Sequence, residues 1–138
     1  MLNVTKKILK WIPAVFIACV SFYLSSQPHL EMMPGFWNAD KLVHFICYAG
    51  FCFWVSFACN TKNYGTLKGI IIPVLIVSLW GVSDEIHQSF VPNRSVSAWD
   101  WAFDTAGAVF GAVFFVFIRQ KHFKKIIRRV KARIRLKP

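Results

Sequence analysis

A chain of 138 residues is one domain in length, and 56% hydrophobic residues with a mean hydropathy of +0.46 make it too apolar for an ordinary soluble protein. The net charge of +11 suggests a nucleic-acid footprint until it is located: residues 119–138 hold ten Lys or Arg and no acid. The remainder is close to neutral, which excludes a basic face spread over the fold.

Lys6, Lys7 and Lys10 precede the apolar run WIPAVFIACVSFYL, the order of charges and hydrophobicity found in a secretory leader. Cleavage after Ser26 would place Leu24 where a small residue is required, so the segment is expected to stay as a membrane helix over residues 8–27. Pro13 falls in its first turn, where a missing N–H is tolerated, and Pro28 ends it. Cys19 does not read as a lipoprotein site, because the VSFYL after it stays apolar. A short loop follows, with Trp37 placed for the membrane interface. The second run, residues 41–59, is long enough for roughly 28 Å of helix. Asp40, His44 and Tyr48 are spaced i, i+4 and share one face of it. A polar loop around Lys62 leads to the third run, residues 69–90, with Pro73 early and DEIHQ in its last two turns. Residues 100–118 form the fourth, where Gly107 and Gly111 make a G-x-x-x-G on the side of Asp104, expected to pack inside the monomer rather than to form a dimer face.

With the N-terminus inside, fifteen of the seventeen bases are cytoplasmic and only Lys41 and Arg94 lie outside. The expected fold is therefore all-α, an integral membrane four-helix bundle over residues 8–118 with both termini cytoplasmic, followed by a basic cytoplasmic tail over 119–138. In that tail Phe123, Ile126, Ile127, Val130 and Ile134 form an apolar stripe on an otherwise basic helix, the pattern of a helix lying on the anionic inner leaflet. No recognition module accompanies the charges, and no nucleic-acid partner is expected. The four cysteines all fall in apolar runs, so they imply no outer disulfide framework and are expected to act as small packing residues.

Four of the six acidic residues lie between Ser83 and Gly107, at a membrane boundary where ionisable groups are costly and mark candidate sites. Helical rise places Asp40, Gln88 and Asp100 in an upper layer, with His44, Glu85 and Asp104 about one turn deeper. Lys41 begins the second helix beside them, and Arg94 sits at the rim with a planar fork suited to phosphate or carboxylate, or to a salt bridge with Asp100 or Glu85. Asp84 and His87 are expected toward the headgroups, since Glu85 and His87 do not share a face. No metal and no cofactor are expected, because one histidine among carboxylates is a poor transition-metal set. Three readings stay open: a network that docks helices, a site for a polar headgroup or carbohydrate, and a catalytic site with His44, Glu85 and Asp104 as acid–base candidates.

In order along the chain stand SSQP, then Asp40, Lys41 and His44 as D-K-x-x-H, then Glu85, Gln88, Phe90, Pro92 and Arg94 as E-x-x-Q-x-F-x-P-x-R. Asp100, Asp104 and Gly107 follow as D-x-x-x-D-x-x-G. This succession, spanning roughly residues 10 to 118, resembles the VanZ-like family. The family often carries Asn where this chain has Asp104, a change that keeps a hydrogen-bonding group and adds a charge or proton. The resemblance implies a multi-pass protein of the bacterial cytoplasmic membrane and a cell-envelope setting, the founding member being associated with teicoplanin resistance. The expected partners are membrane lipids and an envelope lipid or glycopeptide-related ligand, and the polar cluster read from helix faces and depth, Asp40, Lys41, His44, Tyr48, Glu85, Gln88, Arg94, Asp100 and Asp104, is the expected binding site. The alternatives are a small intramembrane enzyme acting on a lipid-linked substrate and a structural partner of another membrane protein.

Overall fold

The computed structural model describes residues 2–28, 39–59, 67–94 and 96–135, with side chains from Val4 to His122 and at Lys124. These residues form five α-helices and no strand: α1 (Leu2–Leu9), α2 (Ile12–Ser25), α3 (Ala39–Cys59), α4 (Leu67–Gln88) and α5 (Ala98–Arg135). Four stretches are long and apolar enough to cross a bilayer: Val4–Ser25, Ala39–Cys59, Leu67–Gln88 and Ala98–His122. The chain is an all-helical, multi-pass membrane protein.

The first span differs from the single helix expected from residue 8. It begins at Leu2 and breaks at Lys10 and Trp11. The cause is Pro13, which has no N–H to give the carbonyl of Leu9, so the chain tightens and the Trp11 N–H bonds Ile8 O at 2.9 Å instead. α4 stops at Gln88, two residues short of the expected end, and the chain turns through Val91–Arg94 with Asn93 at φ 62°. Asn tolerates that left-handed conformation better than most residues. The fourth helix does not end at residue 118, where the apolar run does. No Gly or Pro occurs between Gly111 and Pro138, nothing stops the helix, and α5 continues to Arg135. Trp37 and the side chains of the tail's apolar stripe (Phe123, Ile126, Ile127, Val130 and Ile134) lie outside the described residues.

α3 and α5 make the most extensive contact, α4 rests against both, and α2 touches α3 and α4 more lightly. Tyr48, Phe51, Cys52, Val55, Val77, Ala108 and Ala112 form the core, with Ala14 and Ala18 of α2 at its edge. Large apolar side chains such as Phe16, Leu79 and Phe110 point outward, as a surrounding of lipid tails allows. Cys52 is buried as expected, but Cys19, Cys47 and Cys59 are exposed. Cys47 and Cys52 are five residues apart, roughly 140° around the helix, so only one of them can face the core.

Small residues carry the α3–α5 contact. A Cβ added to Gly107 would run into the Phe45 carbonyl, and one added to Gly111 into the Ala49 carbonyl. The G-x-x-x-G therefore serves a contact within the monomer, with two parallel helices in step. Gly50 has no atom within 4 Å of such a Cβ. Gly111→Ala should lower unfolding stability in detergent by about 1–3 kcal/mol or more through overpacking. Gly50→Ala, the matched control, should be neutral or raise it by about 0.5–1 kcal/mol. Equal behaviour of the two variants in thermal unfolding would refute the close approach.

Candidate functional site

Because the chain runs up and down, the ends of α2 and α4 meet the starts of α3 and α5 at one end of the bundle. There Lys41 Nζ lies 2.9 Å from Asp40 Oδ2 and 3.2 Å from Asp100 Oδ1. One turn deeper, His44 Nδ1 lies 2.9 Å from Asp104 Oδ1. Both pairs join α3 to α5 and continue the register set by Gly107 and Gly111. Asp104 is 1% exposed, and its Oδ2 has no hydrogen-bond partner among the described residues. That oxygen lies toward Gly81 of α4, where a Cβ would come within 3.2 Å of it and 3.3 Å of Tyr48 Cε1. Gly81 thus makes room for the carboxylate and the tyrosine ring together. The buried Tyr48 hydroxyl is also without a partner among the described residues.

A second group of contacts binds α2 to α4. Ser25 Oγ donates to Asp84 Oδ1 at 2.6 Å, and Gln88 Nε2 lies 3.4 Å from Asp84 Oδ2. Ser26 Oγ meets His87 Nε2 at 3.0 Å, the His87 ring stacks on Phe22 at 4.3 Å between centroids, and Trp80 Nε1 donates to Ser21 Oγ. Asp84 is therefore not a headgroup residue: it is 5% exposed, held inward by a serine on the facing helix. His87 is turned away from His44, toward α2. Gln88 is buried beside Asp84 rather than placed at a rim with Asp40 and Asp100.

Arg94 reaches neither Asp100 nor Glu85. Its Nε donates to Gln27 O and its Nη2 to Leu24 O, each at 2.9 Å. The last turn of a helix leaves carbonyls unsatisfied and carries partial negative charge, so a guanidinium is a fitting cap there. The turn at Asn93 delivers Arg94 to that position.

Glu85 is 6% exposed and accepts the Ser97 N–H on Oε2 at 2.9 Å, fixing the start of α5, while Oε1 has no partner among the described residues. It faces an open groove of about 350 Å³ between α4 and α5, shared with Val82, Ile86 and Trp101. His44 and Tyr48 instead face a smaller cavity of about 60 Å³ together with Ser25, Asp84, Gln88 and Arg94. Among the described residues no three of His, Cys, Asp and Glu come together closely enough to hold a metal ion.

Of the residues singled out in the sequence, Asp40, Lys41 and Asp100 form one network and His44 and Asp104 another, with Tyr48 packed beside the second. Sequence reasoning missed Ser21, Ser25, Ser26, Asp84 and Gly81. A signal for Ser21, Ser25 and Asp84 was present, since Ser21 and Ser25, and likewise Asp84 and Gln88, are spaced i, i+4. A double-mutant cycle on His44 and Asp104, read by unfolding in detergent, should give a coupling of about 1.5–3 kcal/mol, the range for a buried charge-assisted hydrogen bond. The Lys41–Asp40 pair, with 23% and 45% of its side chains exposed, should give under about 1 kcal/mol. The reverse order would contradict the placement of the two layers.

The family model described as VanZ/LLP1 matches residues 2–119. Comparison with curated proteins finds no match, and neither does comparison with solved structures. The matched span takes in the first three membrane spans, most of the fourth, and every residue of the polar end. The chain belongs to the VanZ/LLP1 family.

Proposed function

We propose that this protein sits in the bacterial cytoplasmic membrane with both termini inside, and binds a cell-envelope component at the outward-facing polar end of its bundle. The cellular effect is altered susceptibility to glycopeptides such as teicoplanin. The distribution of bases supports the orientation, fifteen of seventeen lying on the side of the termini. It also supports placing residues 119–138 along an anionic inner leaflet. Family membership supports the envelope setting.

One observation carries the site reading. Of the four buried side-chain oxygens without a hydrogen-bond partner among the described residues, three (Tyr48 Oη, Glu85 Oε1 and Asp104 Oδ2) lie at the polar end. A network selected only to dock helices gains nothing from unsatisfied atoms, which are costly in a low-dielectric interior. Atoms kept for a ligand account for the pattern.

A second reading is favoured by the His44–Asp104 pair. A carboxylate holding one ring nitrogen of a histidine is the arrangement of a base and its orienting group. On this reading the protein is a small intramembrane enzyme acting on a lipid or lipid-linked substrate. Lipid profiles of cells with and without the protein separate the two: a changed lipid ratio belongs to an enzyme, unchanged lipids with altered susceptibility to a binding protein.

In a teicoplanin-susceptible host, the intact chain should raise the inhibitory concentration beyond the spread of replicates. His44→Ala and Glu85→Gln should each return it to the empty-vector value while membrane abundance holds. Retained resistance in both variants would remove the polar end from the function. Loss of both proteins from the membrane would reduce it to a structural network.

A further inference from the structure

The cavity of about 60 Å³ has an inner wall and a mouth of different chemistry. Its inner wall presents Ser25, Tyr48, Asp84 and Gln88. Asp84 is 5% exposed, and the groups bonded to it, the Ser25 hydroxyl and the Gln88 amide, are neutral. Tyr48 is 3% exposed, and its hydroxyl has no partner among the described residues.

Arg94 and His44 also line this cavity, but they and Lys41 are already bonded to other acceptors. Lys41 is on Asp40 and Asp100, Arg94 is on two backbone carbonyls, and the His44 ring is on Asp104. The wall therefore offers a buried carboxylate without a cationic partner among the described residues, beside two hydroxyl oxygens. An anionic headgroup would have to desolvate against Asp84, which like-charge repulsion opposes. A primary ammonium brings three N–H donors and one positive charge to three acceptors: Asp84, Ser25 Oγ and Tyr48 Oη.

The mouth points to where the ammonium comes from. It is flanked by Leu24 of α2 and by Val43 and Cys47 of α3, with Leu24 and Cys47 exposed and Val43 half-buried. These are apolar or weakly polar groups on outward faces, so the opening is toward lipid rather than along the bundle axis. The volume is roughly four to six times what one water requires, room for an aminoethyl group. We infer that this cavity takes a primary ammonium group carried by an amphiphile, such as an aminophospholipid, that enters sideways between α2 and α3. The inference rests on reading this end as a ligand site and names the chemistry of that ligand.

The test uses the purified full chain in detergent. Phosphatidylethanolamine, phosphatidylcholine and phosphatidylglycerol with identical acyl chains, and free ethanolamine, are titrated and their retention is read by native mass spectrometry. Phosphatidylethanolamine should be retained about tenfold or more over phosphatidylcholine, whose quaternary nitrogen has no N–H to donate. Asp84→Asn keeps the shape and an acceptor for Ser25, and should erase that preference. Competition by free ethanolamine would show that the ammonium alone is recognised; failure to compete, with the preference intact, would show that the lipid is required. Equal retention of the ethanolamine and choline lipids would overturn the inference, as would an undiminished preference in Asp84→Asn. If Asp84→Asn does not fold, the comparison of headgroups on the unaltered chain decides alone. Preference for phosphatidylglycerol that His44→Ala abolishes would end the ammonium assignment and leave the site standing. Absence of any headgroup preference would end both.

Discussion

Where Gly107 and Gly111 meet the Phe45 and Ala49 carbonyls, no side chain holds α5 away from α3, and the two backbones close on each other. Lipid tails supply little hydrophobic drive for helix association, so this close packing is what a membrane bundle has to work with. Its register then fixes everything polar. Continued toward the helix starts, it lays His44 beside Asp104 and, a turn higher, Lys41 beside Asp100. A slip of one turn, about 5.4 Å, would part both pairs and leave ionisable groups in a low-dielectric setting. Packing and polar pairing therefore select the same arrangement, and α4 closes the third side with Gly81 against Asp104 and Tyr48.

The first span is held differently. Only 11% of its apolar window is buried, against 39% for the fourth span. Its attachment at the polar end is hydrogen-bonded: Ser25 to Asp84, Ser26 to His87, and Arg94 onto the carbonyls of Leu24 and Gln27. Contacts of this kind are individually modest in a bilayer, about 0.6 kcal/mol on average. The wall of the cavity formed by α2 is thus the part of the bundle least fixed by packing, and the part best able to admit a lipid.

Hydropathy and charge made the four spans, their helical class and the meeting of polar residues at one end legible, because each depends on composition over a turn or more. Partner choice was not legible. Asp84 and Glu85 are adjacent in sequence and about 100° apart on a helix, so one faces α2 and the other α5, and only the position of α2 decides which is which. Arg94 looked available to carboxylates or phosphate until the turn at Asn93 directed it to the end of α2. Gly81 carries no sequence signal of its own, since the room it leaves is defined by residues on two other helices. The continuation of α5 could have been read from the absence of Gly and Pro between Gly111 and Pro138, a signal outweighed by the change from apolar to basic composition.

A polar end built only to dock helices and one built to hold a ligand differ most at the Tyr48 hydroxyl, which is buried and makes no hydrogen bond among the described residues. Removing a buried oxygen that has no partner relieves desolvation and should leave stability unchanged or raise it. The decisive measurement is teicoplanin susceptibility of cells carrying Tyr48→Phe, compared with the unaltered chain at matched membrane abundance. If the hydroxyl is kept for a ligand, the variant accumulates normally and susceptibility returns toward the empty-vector value. Full protection by a normally accumulating Tyr48→Phe protein would contradict the account.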